Sequence, residues 1–174
     1  MLRVKNLSIT FETESGQIDA IRNISFDLPR GETLGVVGES GCGKSITNLA
    51  LLGLLPPEAI VTADELTFDD INLLDLKEKQ WSLIRGKKIG IIFQDPMSAL
   101  NPSFTIGKQI AEAVALYNPG ASKESIRSIV LDLLTQVGIP DPQKRLSNYP
   151  HEMSGGMAQR VMIAMAISGH PRLL

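Results

Sequence analysis

The sequence has one cysteine, Cys42, so no disulfide can close within the chain and nothing argues for an oxidising compartment. Neither sign of charge dominates. Seventeen Lys and Arg stand against nineteen Asp and Glu, a formal charge of −2. That balance gives no electrostatic footprint for nucleic acid or an anionic lipid surface, and no nucleic-acid partner is expected. Long apolar runs are missing too: the longest, Leu49–Leu55 and Val161–Ile167, fall far short of the roughly 20 residues a spanning helix needs. The opening MLRVKNLSIT has no basic stretch followed by an apolar run, so it does not read as a signal peptide. The expected location is the cytosol, with any membrane role exercised through a partner. Internal repeats and low-complexity tracts are absent as well.

What is present is an ordinary globular composition, 43% apolar and 21% charged over 174 residues. That length suits one domain with a real core, or a core plus a small subdomain. The first 37 residues alternate and turn like strands: Leu2–Ile9, Ile18–Ile24 after a Ser15-Gly16 turn, Ile24–Leu28, and Thr33–Val37 beyond Pro29-Arg30-Gly31. Lys44–Leu55 reads as a helix closed by Pro56-Pro57. Leu66–Phe68, Asp70–Leu74 and Ile89–Phe93 read as further strands, with a short charged helix near Lys77–Ile84. From about Asp95 the pattern turns helical. Ser122 is placed to cap a helix whose apolar stripe runs Ile126, Ile129, Val130, Leu133, Leu134 and Val137, with Gly138 as its stop. A proline-rich loop, Ile139–Pro150, then leads to a last helix, Gly156–Ile167, apolar nearly all round and so expected to be buried. The class is α/β, a β-rich first half carrying a mostly helical insertion.

One segment carries recognisable chemistry. Gly38-Glu39-Ser40-Gly41-Cys42-Gly43-Lys44-Ser45 fits the P-loop pattern G-x-x-x-x-G-K-[ST]. Glycines let the backbone curl until successive N–H groups point into one anion-sized nest. The helix that follows, Ile46 in its first turn, adds its positive end. Lys44 reaches the β- and γ-phosphates of ATP, and the Ser45 hydroxyl can ligate Mg²⁺. Cys42 reads as a small loop residue, since no base can be paired with it from the sequence.

A second segment, Met153-Ser154-Gly155-Gly156-Met157-Ala158-Gln159-Arg160, places a Ser hydroxyl and two Gly N–H groups before the buried helix. By its chemistry it is either another phosphate site or an ordinary helix cap with a Gly-Gly turn. The order of motifs speaks for the first. The P-loop, then Ile91-Ile92-Phe93-Gln94-Asp95-Pro96, then Ser154-Gly155-Gly156 resemble the ATP-binding subunits of ABC transporters, with their Q-loop and LSGGQ signature. The stretch Phe93–Pro102, the phrase SGGM-x-QRVMIAMA and Gly43-Lys44-Ser45-Ile46-Thr47 look like the branch serving dipeptide, oligopeptide and nickel permeases.

The resemblance implies a P-loop (RecA-like) core with an N-terminal antiparallel β subdomain over residues 1–94, a helical subdomain over 95–168, and a short tail over 169–174. It implies ATP and Mg²⁺ as cofactors. Phe11 would stack on adenine, where the residues alone read equally as a half-buried strand aromatic. Gly38 to Ile46 would hold the phosphates, with Lys44 and Gln94 catalytic and Ser45 and Gln94 on Mg²⁺. Ser154, Gly155 and Gly156 would cap the γ-phosphate held by a second ATPase subunit, although Met157 stands where many relatives have Gln. In the family, an apolar strand ending in Asp-Glu follows the signature helix, and the switch histidine comes later. Pro171–Leu174 stand where that strand would begin, so the expectation is a piece of an ATPase, without turnover of its own and with an incomplete core sheet.

The function implied is energy coupling in an importer for peptides or similar small solutes. The partners would be a second ATPase subunit, transmembrane permease subunits and, indirectly, a solute-binding protein, on the cytoplasmic face of the membrane. A non-transport ABC ATPase is the rival, but such repair proteins insert a long coiled coil, and only roughly 60 residues separate Gln94 from Ser154 here. A nucleotide-binding module without turnover is the third reading. Other candidates are bland. His151 and His170 stand alone as surface residues, Asp132 mimics a Walker B acid from within a helix, Arg85-Gly86-Lys87-Lys88 reads as a solvated turn, and Met153, Met157, Met162 and Met165 as packing.

Overall fold

The computed structural model describes every residue except Ser15, so the first position of the expected Ser15-Gly16 turn lies outside the described residues. The chain forms two compact units, Met1–Ser82 and Leu83–Leu174, where the change of sequence character had suggested a division at 94/95.

The first unit is built on two long strands, β1 (Leu2–Thr13) and β2 (Gly16–Leu28), paired antiparallel. The two separate strands read from the sequence over Ile18–Leu28 are one. In β1 the buried side chains are Leu2, Val4, Leu7 and Ile9, so the alternation slips by one residue between Val4 and Leu7. A bulge absorbs the slip. Asn6 takes the left-handed conformation at φ 50°, which asparagine tolerates, and its N–H donates to Ser25 Oγ at 2.8 Å. The bulge returns Leu7 and Ile9 to the core face. β3 (Ala59–Thr62) pairs with the far half of β1, and β4 (Glu65–Phe68) with its near half, continuing to the two-residue β5 (Ile71–Asn72). The sheet order is β2-β1-β4-β5 with β3 beside β1, antiparallel throughout.

The helix after the P-loop, α1 (Lys44–Ala50), is shorter than the Lys44–Leu55 expected. Gly53 ends it, not the prolines. Gly53 sits at φ 58°, and the Leu54 N–H returns to the Leu49 carbonyl at 2.9 Å. The same glycine lies flat against the buried Trp81 ring, which a Cβ would strike. Trp81 closes the four-residue α2 (Glu78–Trp81).

Two expected strands are not strands. Thr33–Val37 carries no regular structure and has no ladder partner among the described residues, and Leu34, Val36 and Val37 are exposed, Val37 at 93%. Among the described residues Ile89–Phe93 forms one parallel bridge onward in the chain, Ile89 to Leu173, with Gly90 N–H donating to Leu173 O at 2.8 Å. The physical reason is common to both: β-propensity becomes a strand only when a neighbour supplies the other half of the ladder.

The second unit is helical: α3 (Pro96–Ala99), α4 (Ile106–Tyr117), α5 (Lys123–Gln136), α6 (Pro142–Arg145) and α7 (Gly155–Ile167). Its core is Ile106, Ile110 and Val114 of α4, Val130, Leu133 and Leu134 of α5, and Ala158, Val161 and Ala164 of α7. Ser122 caps α5 by accepting from Ser125 N–H at 3.2 Å, and Gly138 closes it with Ile139 N–H reaching Leu134 O at 2.9 Å, both as the sequence predicts. Arg160 of α7 donates to the Gly138 carbonyl at 2.7 Å, tying the end of α5 to α7.

Candidate nucleotide-binding site

In the first unit the loop Gly38–Gly43 runs directly into α1. Gly43 sits at the helix N-cap with φ 93°, buried against Ile21 of β2, where any Cβ would collide. The left-handed backbone calls for glycine there, and a Cβ would also press on the Ile21 side chain and come within 3.2 Å of the Ala20 carbonyl. The first helical hydrogen bond is Thr47 N–H to Gly43 O at 2.9 Å, and Thr47 Oγ donates to the same carbonyl at 3.1 Å. The N–H groups of Lys44, Ser45 and Ile46 therefore have no partner inside the helix, which is what an anion-binding turn requires. Lys44 Nζ donates to the carbonyls of Gly38 and Glu39 at 2.7 Å each and lies 3.4 Å from Cys42 Sγ. Ser45 is exposed. A Cβ on Gly38 would come within 2.7 Å of Cys42 Sγ, so the thiol lies over Gly38 while Cys42 stays exposed.

Phe11 lies on β1, between Ile18 of β2 and Ala59 of β3, and is half-buried. Both readings made of it from sequence are compatible with that position.

In the second unit Gln94 is exposed, immediately before α3. Asp95 caps that helix by accepting from Met97 N–H at 2.9 Å, and Pro96 occupies its first position. One supporting residue escaped the sequence reading. Gln109, buried on the inner face of α4, accepts from Asn101 N–H at 2.9 Å and donates to the carbonyls of Asn101 and Phe104 at 3.0 and 2.9 Å. It pins the loop that follows α3. Its signal was a polar residue among the apolar positions of α4.

Ser154 caps α7, accepting from Met157 N–H at 3.3 Å. Gly155 and Gly156 begin the helix without positive φ, and a Cβ on either would meet nothing within 4 Å. Neither backbone nor packing within the chain calls for glycine there, and each costs about 1 kcal/mol of helix stability relative to alanine. Approach by something outside the chain is the remaining physical reason for them.

Gly38–Ile46 and Phe11 thus lie in one unit, and Gln94 and Ser154–Gly156 in the other. Among the described residues no group of three or more His, Cys, Asp or Glu is placed to hold a metal. Asp132 lies exposed on α5, as expected. An Asp-Glu pair does follow an apolar strand at Asp64–Glu65, but both acids are engaged in the sheet. Asp64 accepts from Asn6 Nδ2 at 2.6 Å, and Glu65 pairs with Lys5 at 2.8 Å and Arg3 at 3.4 Å. No helix of the described residues is long and apolar enough to cross a membrane.

A family profile described as ABC transporter matches residues 21–174. The dipeptide transport ATP-binding protein DppD of Lactococcus lactis subsp. cremoris is 51% identical over 174 residues, covering all of this chain and 50% of the relative. The oligopeptide transport ATP-binding protein OppD of Bacillus subtilis is 49% identical, with 100% and 49% covered. The chain spans about half the length of the curated relatives it matches. Among solved structures, the dimeric bacterial ABC transporter cassette MJ0796 superposes with a TM-score of 0.83 at 29% identity, over 98% of this chain and 71% of that one. That cassette is also known as a dimer in a post-hydrolysis state bound to ADP and Pi.

Proposed function

Because the chain belongs to the ABC transporter family, we propose that it is the ATP-binding, energy-coupling part of an importer for peptides or similar small solutes. The observation that carries the reading is the turn Gly38–Ser45, with Gly43 locked onto β2, Lys44 drawn over the loop and three first-turn N–H groups of α1 unspent within the helix. These residues fit a nucleoside triphosphate. The N–H groups and Lys44 would hold its phosphate oxygens. Ser45 would hold Mg²⁺ jointly with those oxygens, since among the described residues no group of three or more His, Cys, Asp or Glu is placed to do so alone. Bound there, Mg²⁺ would supply charge neutralisation for the terminal phosphate.

Ser154–Gly156 would close on the γ-phosphate held by a second subunit, a role supported by two glycines that their own chain leaves uncrowded and by the dimeric cassettes it resembles. Functionally, residues 1–94 form the nucleotide-binding core and 95–168 the helical subdomain. The permease would meet the loop Gln94–Asn101, which Gln109 and the Asp95 cap hold in shape. Next to it runs an open groove of ≈ 860 Å³ between α4 and α5, floored by Ala111, Ile126 and Val130 and rimmed by Lys108 and Arg127. Its apolar floor suits an amphipathic helix of the permease, which would hold the chain to the cytoplasmic face of the membrane, with a solute-binding protein on the other side. Hydrolysis needs a positioned water and a neutralised phosphate. The acids that mimic the family's carboxylates, Asp64, Glu65 and Asp132, lie in the sheet or on α5, so turnover is assigned to a longer form.

Titration calorimetry with MgATP tests this. Lys44→Ala should weaken binding by on the order of 2–3 kcal/mol, the scale of a charged hydrogen bond to phosphate. Equal affinity in folded wild type and variant would end the assignment.

A further inference from the structure

The turn that leads into α7 presents two rings to solvent from a rigid base. Pro150 is fully buried and Met153 is buried, so the single 3-10 turn Pro150–Glu152 is anchored from beneath. Its ends are tied. Tyr149 N–H donates to Glu152 Oε2 at 2.7 Å, and Met153 N–H donates to Pro150 O at 3.1 Å. The residues on either side of the buried proline face outward: Tyr149 is 38% exposed and His151 is exposed. Their rings stack with centroids 5.5 Å apart and planes inclined by 13°. Stacking occupies one face of each ring, and the exposure of both residues leaves ring surface open to solvent. Three residues beyond His151, Ser154 opens α7 with its two uncrowded glycines.

We propose that the Tyr149–His151 pair is a stacking platform for the base of a nucleotide whose phosphates meet Ser154–Gly156. This rests on the two-subunit reading above and adds to it a contact to the nucleoside. The chemistry is that of a nucleotide's two ends. An aromatic face takes a flat, weakly hydrated base, and a turn of free N–H groups takes an anion, the two lying within a few residues of one rigid stretch. Because every base has a π-face, such a platform discriminates little between bases. A surface for a protein segment would use the same rings without any dependence on nucleotide.

The chain has two histidines, so ¹³C-histidine labelling gives two ring signals, with His170 as the internal reference. A labelled Lys44→Ala chain, its own P-loop disabled, is mixed with excess unlabelled wild type and titrated with MgATP or with inorganic triphosphate and Mg²⁺. The expected result is a saturable shift of the His151 signal with ATP, a smaller shift at higher midpoint with triphosphate, and an unmoved His170. Tyr149→Ala in the labelled chain should raise the ATP midpoint on the order of tenfold, while Tyr149→Phe, which keeps the ring, should leave it near wild type. A still His151 signal, or triphosphate matching ATP, overturns the platform while Lys44-dependent binding by calorimetry leaves the P-loop reading standing. Loss of that binding in wild type overturns both.

Discussion

The stretch into the P-loop and the helix after the signature turn are both strongly apolar, yet they end in opposite states. In α7 Ala158, Val161 and Ala164 are completely buried. In Thr33–Val37, where Leu34, Val36 and Val37 make the stretch nearly as apolar, Val37 is 93% exposed and no ladder forms among the described residues. The difference is where each gets its backbone hydrogen bonds. A helix makes them internally and then needs only an apolar surface, which α4 and α5 supply. A strand must borrow them from neighbours, and none of the described residues stands beside this one.

Three perturbations sharpen that contrast, the largest first. Leu134→Ala, at a fully buried site of the helical core, should cost about 2–5 kcal/mol, whereas Val37→Ala should stay within about 0.5 kcal/mol. Chemical denaturation of the two variants measures both, and equal losses would mean that Val37 is covered in solution. Hydrogen exchange gives the same contrast by amide: Gly35, Val36 and Val37 should exchange almost freely and Val161 to Ala164 slowly. Next, Gly53→Ala should cost about 1–3 kcal/mol, because its φ of 58° and the Trp81 ring both exclude a Cβ. The emission of Trp81, the only tryptophan, should shift with it, and unchanged emission with unchanged stability would break the account of how α1 ends. Ser154→Ala should cost about 1 kcal/mol as a lost helix cap. Thermal melts at neutral pH check it.

What could be read from the sequence follows the same division. The limits of α5 and α7 were legible because caps and periodicity are local: Ser122 and Gly138 do in the structure what their spacing announces, and Ser154 fills the cap that was one of its two readings. The loop that runs into α1 was legible for the same reason, its glycines and the start of the helix being written into eight consecutive residues. β3 escaped notice because Ala59–Thr62 is four residues long and is defined by its pairing with β1, which no window reveals. Thr33–Val37 erred the other way, with the right side chains and no partner. The end of α1 was misplaced because Pro56-Pro57 is the louder signal, while Gly53 acts through a ring far along the chain. His151 looked like a bland surface residue. Only the stack with Tyr149 across a buried proline sets it apart.

The smallest expected effect lies in the sheet that did find its partners. Lys5 and Glu65 stand directly opposite in the β1–β4 ladder, with Nζ to Oε2 at 2.8 Å and Arg3 adding a contact at 3.4 Å. The hydrogen bond from Lys5 holds the Glu65 carboxyl below the usual glutamate range, aided by Thr67 and Arg3, and the same bond raises Lys5. For the depressed acid, the stabilisation is present above the ordinary glutamate pKa and fades as pH falls through the lower value of the folded state. For the raised lysine, it is present below the ordinary lysine pKa and fades as pH rises through the higher folded value. Both contributions are therefore whole across the neutral range. Glu65→Gln should lower the melting temperature slightly at pH 7, and the gap should close towards pH 3 and shrink with added salt, as screening of an exposed pair requires. A gap that persists unchanged at pH 3 would mean that Glu65 acts through packing and not through its charge.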